Sequence, residues 1–180
     1  MAGGINAWNG LVAAGAYEAG LAYFSRASGA EELIALSFAL EEGNRAFYER
    51  IAKEASGEDF AFFHSLVLAE ERHKDTLREV YARSSGREEE PAPPEGMGAV
   101  TFLEGGIPIG DALSWARGKP QGEILEFAIA MEANSLDRYI KMGRAIGDEH
   151  SKEIFRSLAR EEQDHLDRTT SLLDRLHGKG

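Results

Sequence analysis

The sequence predicts an all-α fold, a four-helix bundle made of two similar hairpins with one long crossover between the second and third helices. Three observations predict it. Glu70-Glu71-Arg72-His73 and Glu162-Gln163-Asp164-His165 both have the form Glu-x-x-His. A further glutamate, Glu41 or Glu132, precedes each turn at nearly the same distance. Apolar residues recur around all four glutamates at helical spacing.

The duplication is explicit when the chain is laid on itself. Glu32–Glu41 falls over Glu123–Glu132 at an offset of 91, which also pairs Tyr48 with Tyr139. After one inserted residue the offset is 92, pairing Phe63 with Phe155, Leu66 with Leu158, Glu70 with Glu162 and His73 with His165. Each half is therefore a helix carrying Glu and, seven residues on, Tyr, followed by a helix carrying Glu-x-x-His. Two such hairpins related by a pseudo-twofold make the bundle.

Local signals set the boundaries. Ser28-x-x-Glu31 is a capping-box pattern that starts the first helix near Ala30. Ser56-Gly57 ends it, and the second helix runs from about Glu58 to Ser84. Gly147-Asp148 separates the third (about Gln121 to Ile146) from the fourth (about Asp148 to His177). Ser84 to Pro120 spans 37 residues and holds one short helix around Asp111–Ala116. A connection that long needs a reason, and a helix of about 27 residues, roughly 40 Å long, provides it. A crossover along the whole bundle lets the third helix start at the far end. Residues 28–180 read as the bundle, and residues 1–27 as an N-terminal extension.

On a helical wheel Phe63, Leu66, Val67, Glu70, His73, Leu77 and Tyr81 share one arc; Phe155, Leu158, Ala159, Glu162, His165, Leu166 and Leu173 share another. Glu41 falls between Ile34 and Tyr48, at the edge of its apolar stripe, and Glu132 between Leu125 and Tyr139. Glu42, Glu49, Glu71 and Glu153 lie outside these arcs and read as solvated charges. His64 has Arg156 as its repeat partner, and His150 and His177 read as loop and tail residues. In a chain with 31 acidic residues any one of these glutamates alone would read as a surface charge. The joint repeat argues instead for a dinuclear metal site.

Core-facing carboxylates are costly unless compensated. Four of them carry about −4, and two divalent cations offset it, about 3–4 Å apart as in other dinuclear sites. Mixed Glu/His ligation suits iron or manganese better than calcium or structural zinc. Tyr48 and Tyr139, two turns from Glu41 and Glu132, are placed to orient the carboxylates by hydrogen bonds.

Bulk properties exclude other classes. A net charge of −11 disfavours nucleic acid and anionic membrane surfaces. The chain has no cysteine, so it has no disulfide, thiolate site or redox thiol, and a cytoplasmic location is expected. No stretch has the length and apolarity of a membrane span.

These residues resemble the rubrerythrin branch of the ferritin-like family. Ala39-Leu40-Glu41-Glu42-Gly43-x-x-x-Phe47-Tyr48 and Leu68-Ala69-Glu70-Glu71-x-His73 look like its first hairpin. Ala130-Met131-Glu132 and Glu162-x-x-His165 look like its second. The resemblance implies a ferritin-like bundle with Glu70 and Glu162 bridging two iron ions, and Glu41, Glu132, His73 and His165 as terminal ligands. It also implies a non-haem diiron oxidoreductase acting on O₂ or peroxide with an external electron donor, as a homodimer. Peroxidase and ferroxidase chemistry both stay open.

Two departures narrow this. Rubrerythrins usually append a rubredoxin domain with four cysteines, and none exists here. They also tend to carry an extra glutamate one turn after the third-helix ligand, where this chain has Ser135. That counts against rubrerythrin-type peroxidase chemistry and leaves a more symmetric four-Glu, two-His site. Separately, Gly3-Gly4-Ile5-Asn6-Ala7-Trp8-Asn9-Gly10 looks like the closing segment of a rhodanese domain, which would imply a longer rhodanese–diiron fusion. The competing functions are iron binding or storage without an organic substrate, and a metal-poor dimerisation bundle beside a sulfurtransferase.

Overall fold

The computed structural model describes residues 29–93 and 101–178. The proposed rhodanese segment lies outside them. Four long helices form two hairpins: α1 (Ala30–Glu54) with α2 (Gly57–Ser85), and α4 (Gln121–Ala145) with α5 (Glu149–His177). The crossover holds a two-stranded antiparallel hairpin, β1 (Phe102–Leu103) and β2 (Ile107–Pro108), then the short helix α3 (Ile109–Ala116). The expected bundle with one long crossover is the observed architecture, with helix ends within two residues of those predicted.

The ends differ in detail from the capping signals. Gly29, not Ser28, is the N-cap of α1 and offers no side-chain cap, while Ser28 lies outside the described residues. Asp148 caps α5 through a hydrogen bond accepted from Ser151 N at 2.8 Å. His150 and His177, expected in loop and tail, occupy the first and last turns of α5, both exposed. A carboxylate-rich first turn and a basic last turn suit the helix dipole there.

The core divides into two. One cluster gathers Tyr48, Phe63, Leu66 and Leu125; the other gathers Tyr139, Phe155, Leu158 and Ile34. Those are the duplicated positions, and each repeat partner sits in the opposite cluster. The pseudo-twofold therefore runs across the bundle, and the polar residues of the repeat lie between two apolar layers.

The crossover follows α1. Phe102 packs beside Leu36 and Leu40, and Ala112 and Ala116 of α3 join Phe47, Tyr48, Ile51 and Ala52. The chain thus travels from the start of α1 to its end before α4 begins, as the loop-length argument requires. Glu41, read as a core-facing carboxylate at the edge of its stripe, is 0% exposed, and the crossover closes the face that a two-helix wheel leaves open.

Close approach depends on Gly43. A Cβ there would stand 1.9 Å from the Phe102 carbonyl oxygen. Next to it, Asn44 Oδ1 accepts the Glu104 N–H at 3.0 Å. The hairpin turn itself uses Gly105 and Gly106 at φ of 81° and 74°, a conformation other residues adopt at a cost.

Gly43→Ala is expected to destabilise the fold by about 1–3 kcal/mol through overpacking. Mid-helix propensity alone would favour alanine by up to about 1 kcal/mol, so the two arguments differ in sign. Urea unfolding decides between them. A variant as stable as the parent would mean that the hairpin does not rest on α1.

Candidate metal centre

All six duplicated polar residues converge. Glu41, Glu70, His73, Glu132, Glu162 and His165 are each at most 4% exposed, and they come from all four long helices. Ligand-type atoms of Glu41, Glu70, His73 and Glu162 lie within 4.8 Å of one another, as do those of Glu132, Glu162 and His165. The repeat explains why: each Glu-x-x-His turn stacks two donors on one helix face, and the pseudo-twofold brings the faces together.

The two halves meet at Glu162. Its Oε1 lies 3.2 Å from His73 Nδ1, and its Oε2 lies 3.3 Å from His165 Nδ1. His73 Nδ1 also faces Glu70 Oε2 at 3.5 Å and Glu41 Oε2 at 3.7 Å, while His165 Nδ1 faces Glu132 Oε2 at 3.3 Å. The imidazoles stack with centroids 5.5 Å apart. Glu70 groups only with the Glu41 side, so the carboxylate spanning both groups is Glu162.

The donor chemistry fits a hard or borderline divalent cation. Glu41 Oε2, Glu70 Oε2, Glu132 Oε2, Glu162 Oε1 and both nitrogens of His73 are buried with no hydrogen-bond partner. Orphaned atoms of this kind are rare and call for an explanation. Here all but His73 Nε2, which faces Glu161, are oxygen and imidazole donors turned toward common points, as divalent-cation ligation requires.

The tyrosines bind across the twofold. The Tyr48 hydroxyl donates to Glu132 Oε1, and the Tyr139 hydroxyl donates to Glu41 Oε1. Each tyrosine thus serves the glutamate of the other half, which fixes one oxygen and leaves Oε2 turned inward. Burial first, then the nearby carboxylates, raises both phenol pKa values, so both remain neutral donors.

Three participants went unread in the sequence. Arg138 Nη2 reaches Glu41 Oε1 at 2.5 Å, and Glu104 of the crossover pairs with the same guanidinium. Glu161, at the outer edge of α5, places Oε2 3.6 Å from His73 Nε2. A carboxylate behind a ligating histidine orients the ring and raises its basicity. Arg138 had a signal: it lies on the Glu132–Ser135 face, opposite Phe47 in the repeat. Glu104 and Glu161 had none, being single acids in an acidic chain. Ser135 is buried and its hydroxyl donates to Glu104 at 3.4 Å, so a carboxylate does stand over that position, supplied by the loop.

The remaining acids behave as read. Glu42, Glu49 and Glu71 are partly exposed and bind Arg45, Lys53 and Lys74; Glu153 is exposed. His64 is exposed and stacks on Phe60. The cluster meets solvent between α2 and α5, where a cleft of about 390 Å³ is lined by His165, Glu161, Asp164 and Arg72 among others.

Charge in the cluster is balanced by protons and cations. Burial and the neighbouring Glu41 push Glu70 well up. Glu41 goes well down despite its burial, through the Glu70 hydrogen bond and Arg138. Burial and Glu162 raise Glu132 to about 7. Against the opposing effect of burial, His73 and His165 hold Glu162 down at about 2. Burial alone would lower both histidines, yet their carboxylate neighbours raise His73 well up and His165 to about 9.

Comparison with known proteins agrees with the geometry. A family model described as Rubrerythrin matches residues 123–179, which hold Glu132, Glu162 and His165. The chain is also similar to a hypothetical protein from Pyrococcus furiosus, with a TM-score of 0.65 and 19% identity over 84% of this chain and 92% of that one. At that identity the likeness speaks for the fold, which is rubrerythrin-like and ferritin-like. No curated protein matches. None of these comparisons supports the rhodanese resemblance. Among the described residues no helix is long and apolar enough to cross a membrane.

The shifts predict how the metal-free protein responds to pH. Glu132 (about 7) and His165 (about 9) both titrate above their ordinary values of 4.5 and 6.5. The folded state therefore binds more protons than the unfolded chain, and stability falls as pH rises through those values. Glu162, lowered to about 2, acts oppositely and matters only as pH falls below about 4.5. With chelator, the thermal midpoint should drop by about 5 °C or more between pH 6 and pH 9. With Mn(II) under nitrogen the drop should shrink, because metal holds the ligands deprotonated. Parallel melting curves with and without metal would contradict this charge balance.

Proposed function

We propose that this protein is a non-haem dinuclear iron oxidoreductase that reduces O₂ or peroxide with electrons from an external donor. The observation that carries this reading is the buried set of unpaired donors on Glu41, Glu70, His73, Glu132 and Glu162, with His165 grouped beside Glu132 and Glu162, the two groups joined at Glu162. A buried mixed carboxylate–imidazole set in a four-helix frame favours iron over calcium or structural zinc, with manganese as the nearest substitute. The rubrerythrin family model over residues 123–179 points the same way.

When bound, an iron pair supplies the two electrons that an O–O bond takes up on reduction. The chain's own residues do the rest. Glu162 offers one oxygen to each side, and His73 and His165 present Nδ1 inward. Tyr48 and Tyr139 hold Glu132 and Glu41 so that Oε2 of each faces the centre. Glu161 stands behind His73, its Oε2 3.6 Å from the outer Nε2. The flanking apolar layers exclude water, leaving the cleft beside His165 as the approach for a small oxidant.

Protein purified without chelator should contain two metal ions per chain by elemental analysis. Glu70→Ala should fall below one, while Glu71→Ala, changed on the outer face, should keep two. Fe(II)-loaded protein should consume peroxide or O₂ in a fixed ratio to iron and turn over repeatedly with a reductant. Uptake of two metals without turnover would leave a binding or storage protein. Equal metal content in the two variants would remove the site assignment.

A further inference from the structure

One buried carboxylate near the centre is used neither by the six-residue set nor by the proposed reaction. Glu104, at the tip of the crossover hairpin, is 5% exposed. Both its oxygens receive Arg138 Nε, at 3.2 and 3.0 Å, and Nη2 lies 3.0 Å from Oε2. The same Nη2 donates to Glu41 Oε1 at 2.5 Å. A buried guanidinium therefore joins a carboxylate of the cluster to one delivered from outside the four-helix frame.

Glu104 is held from both halves of the duplication. Asn44 accepts its N–H, and the Ser135 hydroxyl donates to its carboxylate. Asn44 and Ser135 are repeat partners, each three residues after a cluster glutamate, Glu41 or Glu132. The charge is nevertheless one-sided. Arg138 corresponds to Phe47, which packs against the Tyr48 and Phe127 rings, so among the described residues no arginine stands against Glu132 in the equivalent place.

Arginine does not lose its charge in a protein. Left without its partner, a guanidinium against Glu41 would repel a divalent cation a few ångströms away. At an effective dielectric of about 20 that repulsion changes affinity by well over tenfold. We propose that Glu104 is a positioning residue of the metal centre: paired with Arg138, it cancels the guanidinium charge while leaving Arg138 to fix Glu41. It thereby sets the cation affinity of the Glu41–Glu70–His73 side separately from the Glu132–His165 side. This rests on the dinuclear reading given above.

The experiment is a Co(II) titration of the full chain, followed by visible absorption, for the parent, Glu104→Gln and Glu104→Gln/Arg138→Gln. Far-UV circular dichroism checks folding in each. In Glu104→Gln one binding step should weaken about tenfold or more, and by clearly more than the other. The double variant should bind that step more tightly than Glu104→Gln, since the uncancelled guanidinium is gone, whereas simple loosening of the hairpin would make it worse. No change in either step, an equal change in both, or a double variant no better than the single would overturn the proposal. If Glu104→Gln does not fold, the double variant still tests it, because loss of either step in that folded protein also overturns it. A parent that takes up no Co(II) at all would instead remove the dinuclear reading itself.

Discussion

Four carboxylates buried at one level of a helical bundle form the constraint on which the rest of this structure depends. Each would cost several kcal/mol if ionised and uncompensated in the interior. The fold meets that demand with polar groups, each of which has a structural address. His73 and His165 come from the same turns as Glu70 and Glu162, and Tyr48 and Tyr139 come from the opposite halves. Because each tyrosine reaches across the pseudo-twofold, the hydrogen bonds that hold the site also hold one hairpin to the other. The apolar core yields to this layer and splits into two clusters around it.

The duplication makes a nearly symmetric frame, and the crossover breaks it. Covering α1 requires Gly43, since any side chain there would meet the Phe102 backbone. That close approach buries Glu41 completely and brings a carboxylate against Arg138. A connection needed to span the bundle thus also becomes part of the electrostatics of one side of the site. The other side keeps Phe47 and its aromatic neighbours instead.

Most of this fold was legible in the sequence because its information is local and repeated. Helical periodicity, the caps and the two offsets set the four helices, and the Glu-x-x-His spacing brought the six residues to one level. What lay beyond reach is non-local. Glu104 belongs to a turn whose position depends on how the crossover lies on α1, and no periodicity encodes that. Glu161 looks like any surface acid until His73 is seen to turn Nε2 toward it. Glu41 was read as core-facing at the edge of its stripe, but the cover over it was not, because a wheel treats a helix as having one packed face, whereas α1 has two. Arg138 was within reach: a duplicated chain that places Arg opposite Phe marks a point where the halves differ in function or charge. The roles of Tyr48 and Tyr139 were read in kind, but their exchange between halves needed the three-dimensional arrangement.

The charge balance bears on the order of folding and metal uptake. Arg138, with His73 and His165 raised by their carboxylate neighbours, supplies positive charge against Glu41 and Glu162, which are held down. Burial raises Glu70, Glu132 and Glu104. Both effects reduce the uncompensated negative charge of the metal-free centre. Such a bundle need not wait for metal in order to fold, unlike small domains whose core is the metal itself. Metal would then enter a formed site and displace protons from Glu70 and both histidines. Under the proposed dinuclear reading, its affinity would therefore depend on pH through those three groups, and on position through Arg138 and Glu104.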